Sequence, residues 1–266
     1  MQENTYFNLD KYLLQIRSKG QFYITLSELE KNSKLSYKAI QQTIFRAKKS
    51  GKIAQIRQGF YVIIPPEYSI SGILPIYLYI DDLMSYLKRN YYLGLFSAAI
   101  LHGAGHQQTM NTQLIIERPS LRMIKNKKLE IGYFTKNRWN KNDIIEKKTD
   151  AGYIKVSSPE LTALDLIYFH KRIGGISRTL TILEELSEVI NPTRMLETAL
   201  RFSNHTTIQR LGFIFDTVFN EAIIANKLFK VLEDIDIKKI PLSLLNPEEG
   251  QNNRKWNIII NTDLDY

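Results

Sequence analysis

The chain has 266 residues, 44% hydrophobic and 24% charged, which excludes disordered and fibrous classes and leaves room for two domains with separate cores. Its formal net charge of +9 is lopsided: residues 1–60 hold eleven Lys/Arg against four Asp/Glu, while the other 206 hold 25 against 23. The absence of cysteine excludes disulfides, zinc ribbons and thiol catalysis and fits a reducing cytoplasm, and the most apolar runs, 68–80 and 93–104, are too short to cross a bilayer.

Met1-Gln2-Glu3-Asn4 lacks the basic-then-apolar pattern of a signal peptide. Leu9, Leu13, Leu14 and Ile16 predict a first amphipathic helix, closed near Gly20. After a short extended Tyr23-Ile24, Ser27 is expected to open a second helix, with Glu30 at capping-box spacing. Asn32-Ser33-Lys34 reads as a turn, and Ser36 caps a third helix that runs to about Ser50. On this helix Ile40, Thr43, Ile44 and Ala47 take one side. Lys38, Gln42, Phe45 and Lys49 take the opposite side, flanked by Gln41 and Arg46. Two β-rich runs, 53–56 and 60–64, enclose Arg57-Gln58-Gly59 and predict a hairpin. Three helices with a hairpin after the third make a winged helix-turn-helix over residues 1–66.

Between Lys31 and Pro66 the chain carries eight basic residues and no acid. A single-sign stretch on such a scaffold points to double-stranded DNA. The candidate DNA-binding residues are Ser36, Lys38, Gln41, Gln42, Phe45, Arg46, Lys48, Lys49 and Arg57. The amides of Gln41 and Gln42 suit base edges in the major groove, whereas Lys38, Lys48, Lys49 and the wing-tip Arg57 suit phosphates. Phe45 can meet a thymine methyl or the sugar backbone, or pack against the wing or a neighbouring domain. The rival reading is a winged helix that docks a protein and no DNA.

Pro65-Pro66 and residues 69–72 read as a boundary, followed by a larger mixed α/β domain over 72–266, so the fold class is α+β. Helices are expected over 81–89 and 93–101 and strands over 113–116, 129–134 and 153–156. Ser157-Ser158-Pro159-Glu160 is a strong helix start whose buried face is Leu161, Leu164 and Tyr168. Residues 192–232 are helical in pattern, and 255–261 close the chain in extended form.

Asp165 falls on the apolar face of its helix and therefore needs buried partners, most simply backbone or an arginine. His102 and His106 are four apart but separated by two glycines, which favours a loop over a metal site. Glu146-Lys147-Lys148 matches the acid-x-Lys element of metal-dependent nucleases, although Asn142-Asp143 lies too near to supply the usual distant acid. Asp234-x-Asp236 and Asp263-x-Asp265 lack the Gly-Ser turn of a nucleotidyltransferase. Arg118, Arg122, Lys125, Lys127 and Lys128 form a second basic patch. No catalytic residue, metal ligand or cofactor is assigned.

Several blocks together resemble a known family. They are Gly59-Phe60-Tyr61, Tyr92-Leu93-Gly94-Leu95-Phe96-Ser97-Ala98-Ala99 with His102-Gly103, and Val156-Ser157-Ser158-Pro159-Glu160-Leu161-Thr162-Ala163-Leu164-Asp165-Leu166. Arg210-Leu211-Gly212-Phe213, Trp256 and Asn261 complete the set. On these the chain resembles the AbiEi antitoxins of type IV toxin–antitoxin, or abortive phage infection, systems. The resemblance implies a transcriptional autorepressor that binds inverted repeats in its own promoter through the N-terminal domain. It further implies a C-terminal domain needed to neutralise AbiEii, a nucleotidyltransferase-like toxin, and no enzymatic activity.

Overall fold

The computed structural model describes residues 7–105, 111–125 and 129–264. Helix α1 (Leu9–Arg17) starts where the Asn8 side chain accepts from the Lys11 amide at 3.1 Å. Strand β1 (Tyr23–Thr25) runs straight into helix α2 (Leu26–Ser33), whose capping box lies two residues before the expected position. Thr25 is the cap: its hydroxyl accepts from the Glu28 amide (3.2 Å), and the Glu28 carboxylate accepts from the Thr25 amide (2.7 Å). Thr25-x-x-Glu28 and Ser27-x-x-Glu30 both fit the motif, and the end of β1 selects the first. Lys34 ends α2 at a φ of +55°, and Ser36 caps helix α3 (Tyr37–Lys49) as expected.

Strands β2 (Ile53–Arg57) and β3 (Phe60–Ile63) form the wing, in a sheet of order β1-β3-β2. Every residue of β3 is buried, because the sheet is covered on both faces. Tyr61 and Ile63 pack with Ile40 and Ile44 of α3. Phe60 and Val62, with Ile56 and Ile64, join Leu83 and Met84 of helix α4 (Ile80–Tyr86) in a second core. The unbroken apolar run after Gly59 is the pattern of a strand buried on both sides. The wing is therefore lodged against the larger domain.

The expected helix over 93–101 is shorter, and its start belongs to a strand. Tyr91–Leu93 is β4, Gly94 follows in extended conformation, and helix α5 (Leu95–Leu101) begins with Leu95 at a φ of +55°. Strand β4 sits inside a six-stranded mixed sheet with β5 (Asn111–Glu117), β6 (Ile124–Lys125), β7 (Glu130–Lys136), β8 (Ile144–Thr149) and β9 (Gly152–Ser157), in the order β6-β7-β5-β4-β9-β8. Strands β5 and β7 are parallel. This sheet divides two cores by simple alternation. Tyr91, Leu93, Leu114 and Ile116 face the wing side; Tyr92, Ile115 and Phe134 face the helices.

The helical layer comprises α6 (Pro159–Tyr168), α7 (His170–Ile173), α8 (Ser177–Ser187), α9 (Pro192–Arg201), α10 (His205–Phe213), a π-turn over Ile214–Val218 and α11 (Ala222–Leu232). Ser158 caps α6 with Pro159 in the first turn, as expected, and residues 161–167 are all buried. Tyr168, expected on the buried face, is instead 40% exposed at the helix end. A small sheet of β10 (Ile240–Pro241), β11 (Gln251–Asn253) and β12 (Ile258–Ile260) closes the fold. Here Arg210 donates to the carbonyls of Pro241 and Leu242 (both 3.0 Å), and Trp256 occupies the space a side chain on Gly212 would need. Among the described residues no helix is long and apolar enough to cross a membrane.

Candidate nucleic-acid interface

Helix α3 buries Ile40, Ile44 and Ala47, which turns Lys38, Gln42, Phe45, Arg46 and Lys49 to solvent. Thirteen residues at about 1.5 Å per residue give a rod of roughly 20 Å, and a major groove about 12 Å wide admits a helix. Phe45 is 67% exposed and stands at the edge of the wing, beside Gln55, Gln58 and Tyr61. The Ser36 hydroxyl accepts from the Ala39 amide at 3.3 Å, so its role is to cap the helix. Gln41 is half-buried and lines a groove between α3 and the wing with Gln55, Gln58 and Tyr61. Lys48 is exposed and donates to the Gln55 side chain at 2.7 Å, tying helix to wing. The sequence reading passed over Tyr37, which is 63% exposed on the first turn of α3 and lines the same groove. An aromatic directly after the cap, on the first turn of a helix rich in cations, was the available signal.

Arg57 departs from its expected placement. It is half-buried, its guanidinium donates to the Arg122 carbonyl, and it lies over the Tyr133 ring at 5.9 Å from the centroid. The Tyr86 hydroxyl closes the same seam by donating to the Gln58 carbonyl (3.1 Å), and it stands 2.6 Å from where a Cβ on Gly59 would lie. A wing with both faces buried leaves its last cation inside the contact. Lys52 pairs with Asp10 at 2.6 Å. The free positive face therefore belongs to α3, extended by the exposed Lys31 and Lys34 before it. At the seam, burial together with Asp81 and Glu28 raises Asp82 to about 6, and burial together with Asp82 raises Tyr23 to about 12.

The other candidates from the sequence are dispersed. Asp165 is fully buried and its partners are a lysine and a tyrosine: it accepts from Lys136 Nζ (2.7 Å) and from the Tyr92 hydroxyl (2.6 Å). Burial, then Asp165, pushes the Tyr92 phenol well above its usual range. His102 Nε2 meets the Ser157 carbonyl at 2.7 Å, and burial lowers its pKa, so it is neutral near pH 7. His106, Lys127, Lys128 and Asp265 lie outside the described residues. Glu146 and Lys148 are exposed on edge strand β8, while Asp143 is buried and held by Thr198 and Arg201. Among the described residues, no three His, Asp or Glu side chains stand close enough to share a metal ion. In the second basic patch Lys125 pairs with Glu130 (3.2 Å), and Arg122 gives its carbonyl to Arg57.

Comparison with known proteins gives two family matches. Residues 11–64 match the family described as "Transcriptional regulator, AbiEi antitoxin", and residues 92–217 match "AbiEi antitoxin C-terminal domain". No curated protein sequence matches the chain. Among solved structures the chain is similar to the RV2827C protein from Mycobacterium tuberculosis. That likeness has a TM-score of 0.65 at 13% identity and covers 94% of this chain and 90% of that one. At this identity the likeness speaks for the fold: an N-terminal winged helix followed by a larger mixed α/β region.

Proposed function

The chain belongs to the AbiEi antitoxin family, and from that premise we propose that it represses its own operon by binding inverted repeats in the promoter while serving as the antitoxin of a nucleotidyltransferase-like toxin. In this reading residues 1–66 hold the duplex, residues 72–266 act on the toxin, and the protein works in the cytoplasm beside its DNA. The supporting observation is the exposed face of α3, where Gln42 stands among Lys38, Arg46 and Lys49. Gln42 would read a base edge, the cations would hold phosphates, and Phe45 would meet the sugar or a thymine methyl.

The test is a fluorescence-anisotropy titration of the full chain against its own upstream region and against a shuffled duplex. Preference for the upstream region is expected. Gln42→Ala should reduce that preference, by about 1–3 kcal/mol of discrimination per lost bidentate contact, while Lys49→Ala weakens both duplexes alike. Equal affinity of the parent for both duplexes would refute the repressor reading.

A further inference from the structure

The larger domain holds a cavity that DNA binding by α3 does not use. It lies outside the carboxyl ends of the parallel strands β5 and β7, the position at which open α/β sheets commonly take ligands. Its volume is about 600 Å³, and Arg118, Lys136, Arg138, Arg201, Trp139 and Tyr168 are among its walls. We propose that this cavity binds a nucleoside phosphate.

Charge and shape carry the assignment. Of the four cations, Lys136 is matched by Asp165 behind it and Arg201 by Asp143, which leaves a net charge of +2. A phosphate monoester near neutral pH carries about that charge with the opposite sign. Asp165 positions rather than binds: it fixes Lys136 Nζ, which also stands 4.5 Å from the centre of the Phe202 ring. Trp139 is half-buried with its ring edge-on to Tyr92, and Tyr168 is 40% exposed, so aromatic surface lies beside the cations for a base to stack on. Asn137 and Asn140 on the same rim offer amides to the edge of a base. The volume falls within the usual range for small-molecule sites, about 300–1,000 Å³.

Tryptophan fluorescence of the full chain reads the site, because Trp139 lines it and Trp256 is fully buried elsewhere. The probes are AMP, CMP, GMP, UMP, adenosine, inorganic phosphate and a 5′-phosphorylated tetranucleotide. At least one monophosphate should quench Trp139, with adenosine and inorganic phosphate each at least about tenfold weaker. Arg138 is exposed, so Arg138→Ala should keep the parent's thermal unfolding curve while weakening the monophosphate about tenfold. Tighter binding by the tetranucleotide than by the free nucleotide would identify a strand end as the source of the ligand, and the reverse a free metabolite; both support the site. No quenching by any monophosphate, phosphate binding as tightly as nucleotide, or unaltered affinity in Arg138→Ala would overturn it.

Discussion

If α3 holds a duplex as proposed, the salt dependence of DNA binding tests which cations face it. Helix α3 exposes Lys38, Arg46, Lys48 and Lys49, whereas Arg57 lies in the domain seam and Lys52 is paired with Asp10. If each of the four releases counterions from a phosphate, log affinity falls against log salt with a slope of about −3.6 per bound copy, at about −0.9 per phosphate. That slope corresponds to an affinity loss of about 150-fold between roughly 50 and 200 mM salt. Lys49→Ala should flatten the slope by about 0.9 per copy, whereas Lys52→Ala and Arg57→Ala should leave it nearly unchanged. Arg57→Ala should register in thermal stability instead, since it empties a contact between the wing and the larger domain. Anisotropy titrations of each variant at four salt concentrations give the slopes directly. A full unit of flattening in Arg57→Ala, with none in Lys49→Ala, would mean that the wing leaves its seat to meet DNA and that the assignment of cations is wrong.

Three stability measurements bear on other parts of the fold. Lys136→Met strands Asp165 as a buried carboxylate with only Tyr92 beside it and should cost about 3–5 kcal/mol in denaturant unfolding; a loss below about 1 kcal/mol would show that the pair is not desolvated as described. Thr25→Ala should cost about 1 kcal/mol and Ser27→Ala only a few tenths, and the opposite order would restore the cap to Ser27. Asp82 has its folded pKa raised from 3.8 to about 6, so its destabilising effect sets in as pH rises through that interval and is complete above it. Asp82→Asn should therefore stabilise by ~1 kcal/mol at pH 7.5, after allowance for solvent screening. Its advantage should vanish near pH 4, and a pH-independent difference in melting temperature would contradict the assignment.

Where local pattern determined structure, the sequence was a good guide. Ser36 and the Ser158-Pro159 start are caps whose chemistry is complete within four residues, and the 3.6-residue spacing of Ile40, Ile44 and Ala47 orients α3 without help from the rest of the chain. What tertiary contact decides was hidden. Tyr91–Leu93 is too short to show a period, and only pairing with β5 and β9 makes it a strand. Ile144–Thr149 carries two lysines and a glutamate because it is the sheet's edge, so its alternation is faint. Arg57 read as a wing-tip cation because nothing in the sequence says what covers a hairpin. Asp165 was visibly in need of partners, yet Lys136 and Tyr92 lie 29 and 73 positions away.

The docked wing also governs how the protein can be dissected. Cutting the chain after residue 66 would strip α4 and the six-stranded sheet from Ile56, Phe60, Val62 and Ile64, leaving an oily plate on the fragment. Such a fragment is prone to stick to itself, and its failure on DNA would say little about whether α3 of the full chain holds a duplex. The two proposed roles, on DNA and on a toxin, are better separated by changing surface side chains one at a time, with the shared core left whole.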